Sequence, residues 1–394
     1  MTEFHQVRVG DVLTFQRGFD ITKNEQSDGD VPIVSSSGIS SYHNKWKVKG
    51  PGVVIGRKGT LGTVHFLRCN YWPHDTTLWV KDFKGNEPRF LSYFLRTLKL
   101  ENFDVGASNP TLNRNHVHKI KIIFPEKVDT QRRIAAILSA YDELIENNSR
   151  RIALLEILAE EIYREWFVRL RYHDHKKCNC IKGLPATWKV KRFGEIASFT
   201  MGQSPPSEHY NEFGEGLPFH QGVGTYGDRF PRKVTYCSAN GRKARKGDIL
   251  FSVRAPVGRL NIADCEMIIG RGLAAVRHKE DHNSYLFYLL KVVFASEDII
   301  GNGSIFNSVG KDELAKFQVL QPDVDLVVHF QSASASIDQQ IEILSRSVEN
   351  LSMMRDKLLP RLISGKLSVE NLDIQFPPCM TEESNAEATA TAYA

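Results

Sequence analysis

The residues of this chain best suited to chemistry are basic, and they sit on glycine-rich loops. Arg57-Lys58-Gly59-Thr60-Leu61-Gly62, after the apolar run Val53-Val54-Ile55, aligns with Arg254-Ala255-Pro256-Val257-Gly258-Arg259, after Ile249-Leu250-Phe251. Lys45, Lys47 and Lys49 precede the first loop; Arg242, Lys243, Arg245 and Lys246 precede the second. Arg114, His116 and His118 come after Gly106-Ala107-Ser108, and Lys311 comes after Gly303-Ser304. A guanidinium or ammonium group on a short loop can approach a phosphate and reach the edge of a base. The candidate nucleic-acid contacts are therefore Lys45, Lys47, Arg57, Lys58, Arg114, Arg242, Lys243, Arg254, Arg259 and Lys311. The competing reading of any one of them is a solvated rim.

Other constellations carry less. Gly222-Val223-Gly224-Thr225-Tyr226-Gly227 has the spacing of a dinucleotide fingerprint. That chemistry needs a helix N-terminus next, and Pro231 argues against one. Ser204-Pro205-Pro206-Ser207 lacks the closing aromatic residue of amino-methyltransferase loops, and Asn109-Pro110-Thr111 fails in the same way. No phosphate-binding Walker loop is present. His173-Asp174-His175-Lys176-Lys177-Cys178-Asn179-Cys180 offers four zinc-type ligands, but they are crowded, interrupted by two lysines, and unmatched by a second pair. The chain is therefore expected to carry no catalytic residue, no cofactor and no metal.

What positions the basic loops is an internal duplication. Gly10-Asp11-Val12-Leu13-Thr14-Phe15-Gln16-Arg17-Gly18 returns as Gly194-Glu195-Ile196-Ala197-Ser198-Phe199-Thr200-Met201-Gly202. Val53-Val54-Ile55 with Gly62 returns as Ile249-Leu250-Phe251 with Gly258. Ile120-Lys121-Ile122 before Pro125 returns as Phe317-Gln318-Val319 before Pro322, and Asp142-Glu143-Leu144-Ile145-Glu146 as Asp338-Gln339-Gln340-Ile341-Glu342. Each copy is far longer than a solenoid repeat, so the unit duplicated is a domain with its following segment. Within each copy, short apolar runs bounded by turn residues predict strands at Val53–Ile55, Thr77–Val80, Asp248–Val253 and Ala274–Arg277. Helices are expected at Phe90–Leu100 and Ser284–Phe294.

The segment after each copy changes period. Ile134, Leu138, Tyr141, Ile145, Ile152, Leu155, Ala159, Ile162 and Trp166 recur in alternating steps of four and three, the mark of a coiled-coil seam. Asn148 is a polar seam position able to fix register. The second seam runs Phe330, Ile337, Ile341, Leu344, Val348, Leu351, Leu358, Leu362. Asp129 or Thr130 is expected to cap the first helix, Pro360 to disturb the last turns of the second, and Gly365 to close it. The expected class is α+β: two similar globular domains, 1–128 and 185–326, separated by two long antiparallel coiled-coil helices, 129–172 and 327–367. A linker, 173–184, and a disordered tail, 368–394, complete it.

Composition sets outer bounds. The 394 residues allow two or three domains, and 41% hydrophobic with 25% charged is an ordinary globular balance. A net charge of +5 permits a nucleic-acid partner without requiring one. There is no apolar run long enough to span a bilayer, no signal core in Met1–Gln6, and the six cysteines do not form a disulfide framework. A cytoplasmic location is expected.

At this point the chain resembles the specificity subunit of type I restriction–modification enzymes over residues 1 to about 370. Beside the duplication, the matching phrases are Gly183-Leu184-Pro185-Ala186-Thr187-Trp188-Lys189-Val190, Gly202-Gln203-Ser204-Pro205-Pro206-Ser207 and Arg254-Ala255-Pro256-Val257-Gly258. Gln131-Arg132-Arg133-Ile134-Ala135-Ala136-Ile137-Leu138 and Leu358-Leu359-Pro360-Arg361-Leu362-Ile363-Ser364-Gly365 also match. The first domain lacks the Leu-Pro-x-x-Trp opening, and Val328-His329-Phe330-Gln331 is a looser helix entry than the family's. The resemblance implies two target-recognition domains, each reading one half of a split, asymmetric site on double-stranded DNA. It implies helices that set the unread gap and dock two modification subunits, along the segments carrying Ile134 to Ile162 and Ile337 to Leu358. Those subunits would bring S-adenosylmethionine and methylate adenine at N6, and ATP-dependent restriction subunits would join to cleave. The alternatives are a self-contained methyltransferase or nuclease, which needs loops not found here, and a scaffold that never touches DNA.

Overall fold

The computed structural model describes residues 4–103, 111–173, 180–181, 183–294, 308–377 and 380. The loops at Gly106–Ser108 and Gly303–Ser304, most of the His173–Cys180 run and the end of the tail lie outside them. The chain divides into two compact units: Met1–Ser149 with Ser345–Ala394, and Arg150–Leu344. Each unit thus owns one globular domain and a portion of both long helices.

In the first unit an antiparallel sheet has strand order Thr14–Arg17, Thr77–Asp82, Gly52–Gly56, Val64–Leu67. The second unit repeats that order with Ala197–Met201, Leu273–His278, Ile249–Ser252 and Leu260–Ile262. The third strand of each is buried on both faces. Val53 and Ile55 enter one apolar cluster while Val54 enters another, and Ile249 and Phe251 are split from Leu250 in the same way. Two-sided burial is why these strands read as unbroken apolar runs. A further parallel pair joins Val31–Ser35 to Trp72–Pro73, and Leu217–His220 to Met267–Ile269. Antiparallel ribbons, Phe4–Arg8 with Lys121–Pro125 and Lys189–Arg192 with Gln318–Gln321, bring the two ends of each domain together.

A helix packs behind each main sheet. Pro88–Thr97 begins at Pro88, whose absent N–H costs nothing there, and Glu87 accepts a hydrogen bond from the Arg89 N–H. Its counterpart is Asn283–Val293.

The long helices are Val128–Tyr163 and Val324–Ile363. They are antiparallel within each unit. In the first, Asp142 pairs with Arg355 at 2.7 Å, and six residues further along Asn148 donates to Ser347 at 3.2 Å. In the second, Tyr163 and Trp166 pack on Phe330, while Ile337 and Ile341 join the cluster that Ile152 and Leu155 pack against. Every seam residue is buried or half-buried.

The helix ends correct the sequence reading. The first helix begins one residue before Asp129, with the Lys127 carbonyl accepting from Gln131 N–H; Asp129 instead pairs with Arg133 at 2.7 Å inside the first turn. It does not reach 172. A π-helical turn at Arg164–Val168 lets Phe167 reach Trp188, Tyr285 and Phe330, and Leu170 then takes φ +57°. The second helix starts before 327 because the Asp323 carbonyl accepts from Val327 N–H. It continues through Pro360 to Ile363: Pro360 is exposed near the end, so the carbonyl it leaves unbonded faces water. Gly365 follows at φ +73°.

Each unit locks its short helix to the long ones through a tyrosine, an aspartate and an arginine. In the first, Tyr93 donates to Asp142 at 2.5 Å, and Arg355 of the second long helix donates to the same carboxylate. In the second, the arginine comes from the glycine-rich loop. Arg229, 3% exposed, donates to both carboxylate oxygens of Glu156 at 2.9 Å, to Tyr288 Oη at 3.0 Å and to Asp338. No helix follows the Gly222–Gly227 motif; Tyr226 bridges to Pro231 instead.

Two buried histidines are expected to make the second unit acid-sensitive. Burial pushes the pKa of His220 down to about 4, against the opposing charge of Asp264. Burial and His282 do the same to His278, also to about 4. The unfolded chain protonates these rings below about 6.5, and the folded one does so only near 4. Stability is therefore full above about pH 6.5 and falls toward 4, by at most about 1.4 kcal/mol per pH unit for each histidine. Hydrogen exchange, corrected for intrinsic rate, is expected to show protection of Ile249–Ser252 falling more steeply than that of Gly52–Gly56 between pH 7 and 5. Equal slopes would contradict this.

Candidate nucleic-acid interface

The backbone gathers the basic residues of each unit at one sheet end. In the first unit, Arg57 and Lys58 donate backbone N–H bonds to the Thr76 carbonyl, the Arg57 carbonyl accepts from Leu112, and Lys58 bridges to Thr111. Arg114 opens the short helix two residues on, behind an Asn113 cap that accepts from Asn115 N–H. In the second unit Val253 donates to the Gly272 carbonyl and accepts from Val309, Arg254 bridges to Ser308, and Lys311 opens the equivalent helix. The structure thus corrects the alignment of the two loops by one residue: Lys58, not Arg57, is the counterpart of Arg254. The glycines confirm it, since Gly62 and Gly258, at φ +71° and +84°, close the same turn. The difference shows in exposure. Lys58 and Arg254 are exposed, while Arg57 is half-buried and its Nη1 has no partner among the described residues. Burial, and then Arg17 nearby, lower the Arg57 pKa, with Asp75 opposing them.

Lys47 lies near this edge, lining a depression with Arg17 and Asp75. Its ammonium lies 4.8 Å from the Trp72 ring centroid and 5.9 Å from that of Phe19. These three residues with Arg17, Asp20 and Asp75 line this depression of about 480 Å³, and Lys45 lines the one beside it with Trp46. Asp20, His74 and Asp75 have ligand-type atoms within 4.8 Å of one another. Arg17 takes Asp75 at 2.8 Å, and Lys58 and Lys47 add positive charge, which opposes a cation there. Burial raises the Asp75 pKa, but Arg17, His74 and Lys58 outweigh it and hold the carboxyl below its usual value.

Other candidates are placed differently. Arg242 is exposed and accepts through its carbonyl from Ile269, beside the edge. Lys243 is engaged by Glu266 at 2.7 Å. Arg259 ends the turn that Arg254 begins, where the Ser252 hydroxyl accepts from its backbone N–H. Lys246 pairs with Glu342 on the long helix and His118 turns inward, stacked on Phe15 and accepting from its N–H at 2.9 Å. Burial, then Arg114 and Lys84, lower the His118 pKa. The sequence reading missed Arg17, Asp20, Asp75 and Arg271, which meet the edge only through tertiary contacts. Seam residues Ile134 to Ile162 and Ile337 to Leu358 face inward. The large apolar side chains exposed on the long helices are Val128, Leu144, Met353 and Met354 in the first unit, and Leu154, Ile157, Leu158, Val324, Val328 and Ile343 in the second.

Comparison with known proteins agrees with this architecture. The model of the type I restriction modification DNA specificity domain matches residues 1–156 and again 185–337. The putative type I restriction enzyme MjaX specificity subunit of Methanocaldococcus jannaschii is 31% identical over 294 residues, covering 72% of this chain and 69% of that protein. The HindI specificity subunit of Haemophilus influenzae is 19% identical over 330 residues, covering 66% and 71%. The crystal structure of the S subunit of a type I restriction–modification system from M. genitalium superposes with a TM-score of 0.66 over 92% of this chain and 96% of that one, at 17% identity, a likeness of fold. This chain belongs to the family of type I restriction–modification DNA specificity subunits. No helix among its described residues is long and apolar enough to cross a membrane.

Proposed function

We propose that this chain is the sequence-specific, non-catalytic DNA-recognition subunit of a cytoplasmic type I restriction–modification complex. Each unit reads one half of a bipartite, asymmetric site on double-stranded DNA. The long helices fix the unread gap. Two modification subunits dock on the helices' exposed apolar side chains, bringing the S-adenosylmethionine that this chain does not bind and methylating adenine at N6. ATP-dependent restriction subunits complete the complex. The observation that carries the reading is the doubled basic edge: the same backbone places Lys58 with Arg114, and Arg254 with Lys311, in two units that share one strand order. Two such edges with different side chains suit two different half-sites.

The reading is tested by Arg57→Ala, Lys58→Ala and Arg254→Ala in binding titrations over a range of salt. A lost phosphate contact weakens binding on all sequences and flattens the salt slope by about one unit, whereas a lost base contact costs about 1–3 kcal/mol at one position. Parental binding by all three variants would reduce the edges to solvated rims.

A further inference from the structure

We infer that the loop following the Trp72–Pro73 strand, and its counterpart following Met267–Ile269, hold a base-reading position in each unit. Arg271 reads a guanine, and Asp75 with Asp20 takes the amino edge of cytosine or adenine. This rests on the DNA-recognition reading above and adds which side chains discriminate between bases.

The two positions share one backbone arrangement. Gly18 donates to the Thr77 carbonyl at 3.1 Å and Phe19 to the Pro73 carbonyl at 2.8 Å; Gly202 donates to Leu273 at 2.9 Å and Gln203 to Ile269 at 3.0 Å. A Cβ at Gly18 would fall 2.0 Å from the His74 carbonyl oxygen, and one at Gly202 would fall 2.2 Å from that of Gly270. Both glycines let two chain segments touch, and the touching segments present their neighbours side by side. By this superposition Asp20 corresponds to Ser204 and Asp75 to Arg271.

The chemistry presented is opposite. The first unit offers two carboxylates, Asp75 lying between Arg17 at 2.8 Å and His74 at 3.1 Å. The second offers an exposed Arg271, whose backbone N–H donates to Ser204 Oγ at 3.3 Å, while that hydroxyl donates to Gln221. Apolar core and hydrogen-bonded backbone are retained between the units, while the polar groups they present are exchanged: exposed Asp20 and half-buried Asp75 in the first, half-buried Ser204 and exposed Arg271 in the second. That pattern fits a reading position rather than a structural one. Its location agrees: Thr76 and Gly272, the next residue in each loop, accept the bonds from the strand ends carrying Lys58 and Arg254. Phosphate-positioning groups and base-reading groups would then lie side by side. Arginine presents two parallel donors to guanine O6 and N7, and a carboxylate accepts from an exocyclic amino group.

The test is selection of bound duplexes from a random pool by the complete chain, purified with any subunits that accompany it. Arg271→Ala is expected to lose a guanine preference of about tenfold or more at one position of one half-site, leaving the other half-site unchanged. Arg271→Lys is expected to lose the same preference, because a single ammonium cannot make the paired contact. Asp75→Asn is expected to alter one position of the opposite half-site. Uniform weakening by Arg271→Ala with recovery by Arg271→Lys would make Arg271 a phosphate contact and overturn the inference. Unchanged sequence profiles would overturn it while leaving DNA recognition intact. A parent chain that selects no sequence would overturn both.

Discussion

Replacing Arg229 with Met is expected to lower the stability of the second unit by about 3–5 kcal/mol, the range for removing one partner of a buried ion pair. The guanidinium is enclosed, spans Glu156 and Asp338 on the two long helices, and lies 4.4 Å from the Phe287 ring centroid. Methionine keeps apolar bulk over that ring but leaves two carboxylates with no cation between them. Lys291, 3.7 Å from Glu156 and 2.9 Å from Glu160, compensates only in part. Denaturant unfolding should therefore show an earlier transition for Arg229→Met, with the first unit's transition unchanged. In a further variant, Glu156→Gln with Asp338→Asn removes the stranded charges and should recover much of the loss. A cost below about 1 kcal/mol, the range of surface pairs, would show that the network is not holding the loop to the helices.

Removing one heptad from each long helix, around Ile152 and Val348, is expected to shorten the preferred gap between half-sites by up to about three base pairs. Seven helical residues rise about 10 Å, and DNA advances 3.4 Å per base pair. Whole-heptad removal keeps the seam in register, so folding should survive. Both half-site sequences should stay as they were, because no recognition residue has changed. Selection from a pool with variable spacing reads this out. A shortened chain that binds well at the parental gap would show that the helices do not set it.

The sequence disclosed the duplication, the α+β texture and the seam because each rests on apolar residues with a fixed period. Two-sided burial made Val53–Ile55 and Ile249–Phe251 visible, and the four–three spacing did the same for Ile134 to Trp166. Helix ends were less legible: they depend on which carbonyl closes the first turn and on how the Phe167 cluster pulls the backbone aside. The basic edge was half legible. Its loops announced themselves, but matching Arg57 to Arg254 by residue type put the register one residue out, and only backbone bonds to Thr76 and Gly272 correct it. Arg17, Asp75 and Arg271 gave no local signal, since their significance comes from contacts made possible by Gly18 and Gly202. Arg229 lay in a loop that resembled a nucleotide motif, and nothing in the sequence marks it as buried.

This chain is proposed to choose the DNA sequence on which its complex acts. Sequencing methylated bases across the host genome, with and without the gene for this chain, tests it most directly. The expected result is a split, asymmetric motif carrying N6-methyladenine in both halves, fully lost on deletion and restored by the intact gene. With Arg254→Ala the motif should be less completely methylated or relaxed in one half. A methylome unchanged by deletion, or a restored motif that is continuous and not split, would contradict it.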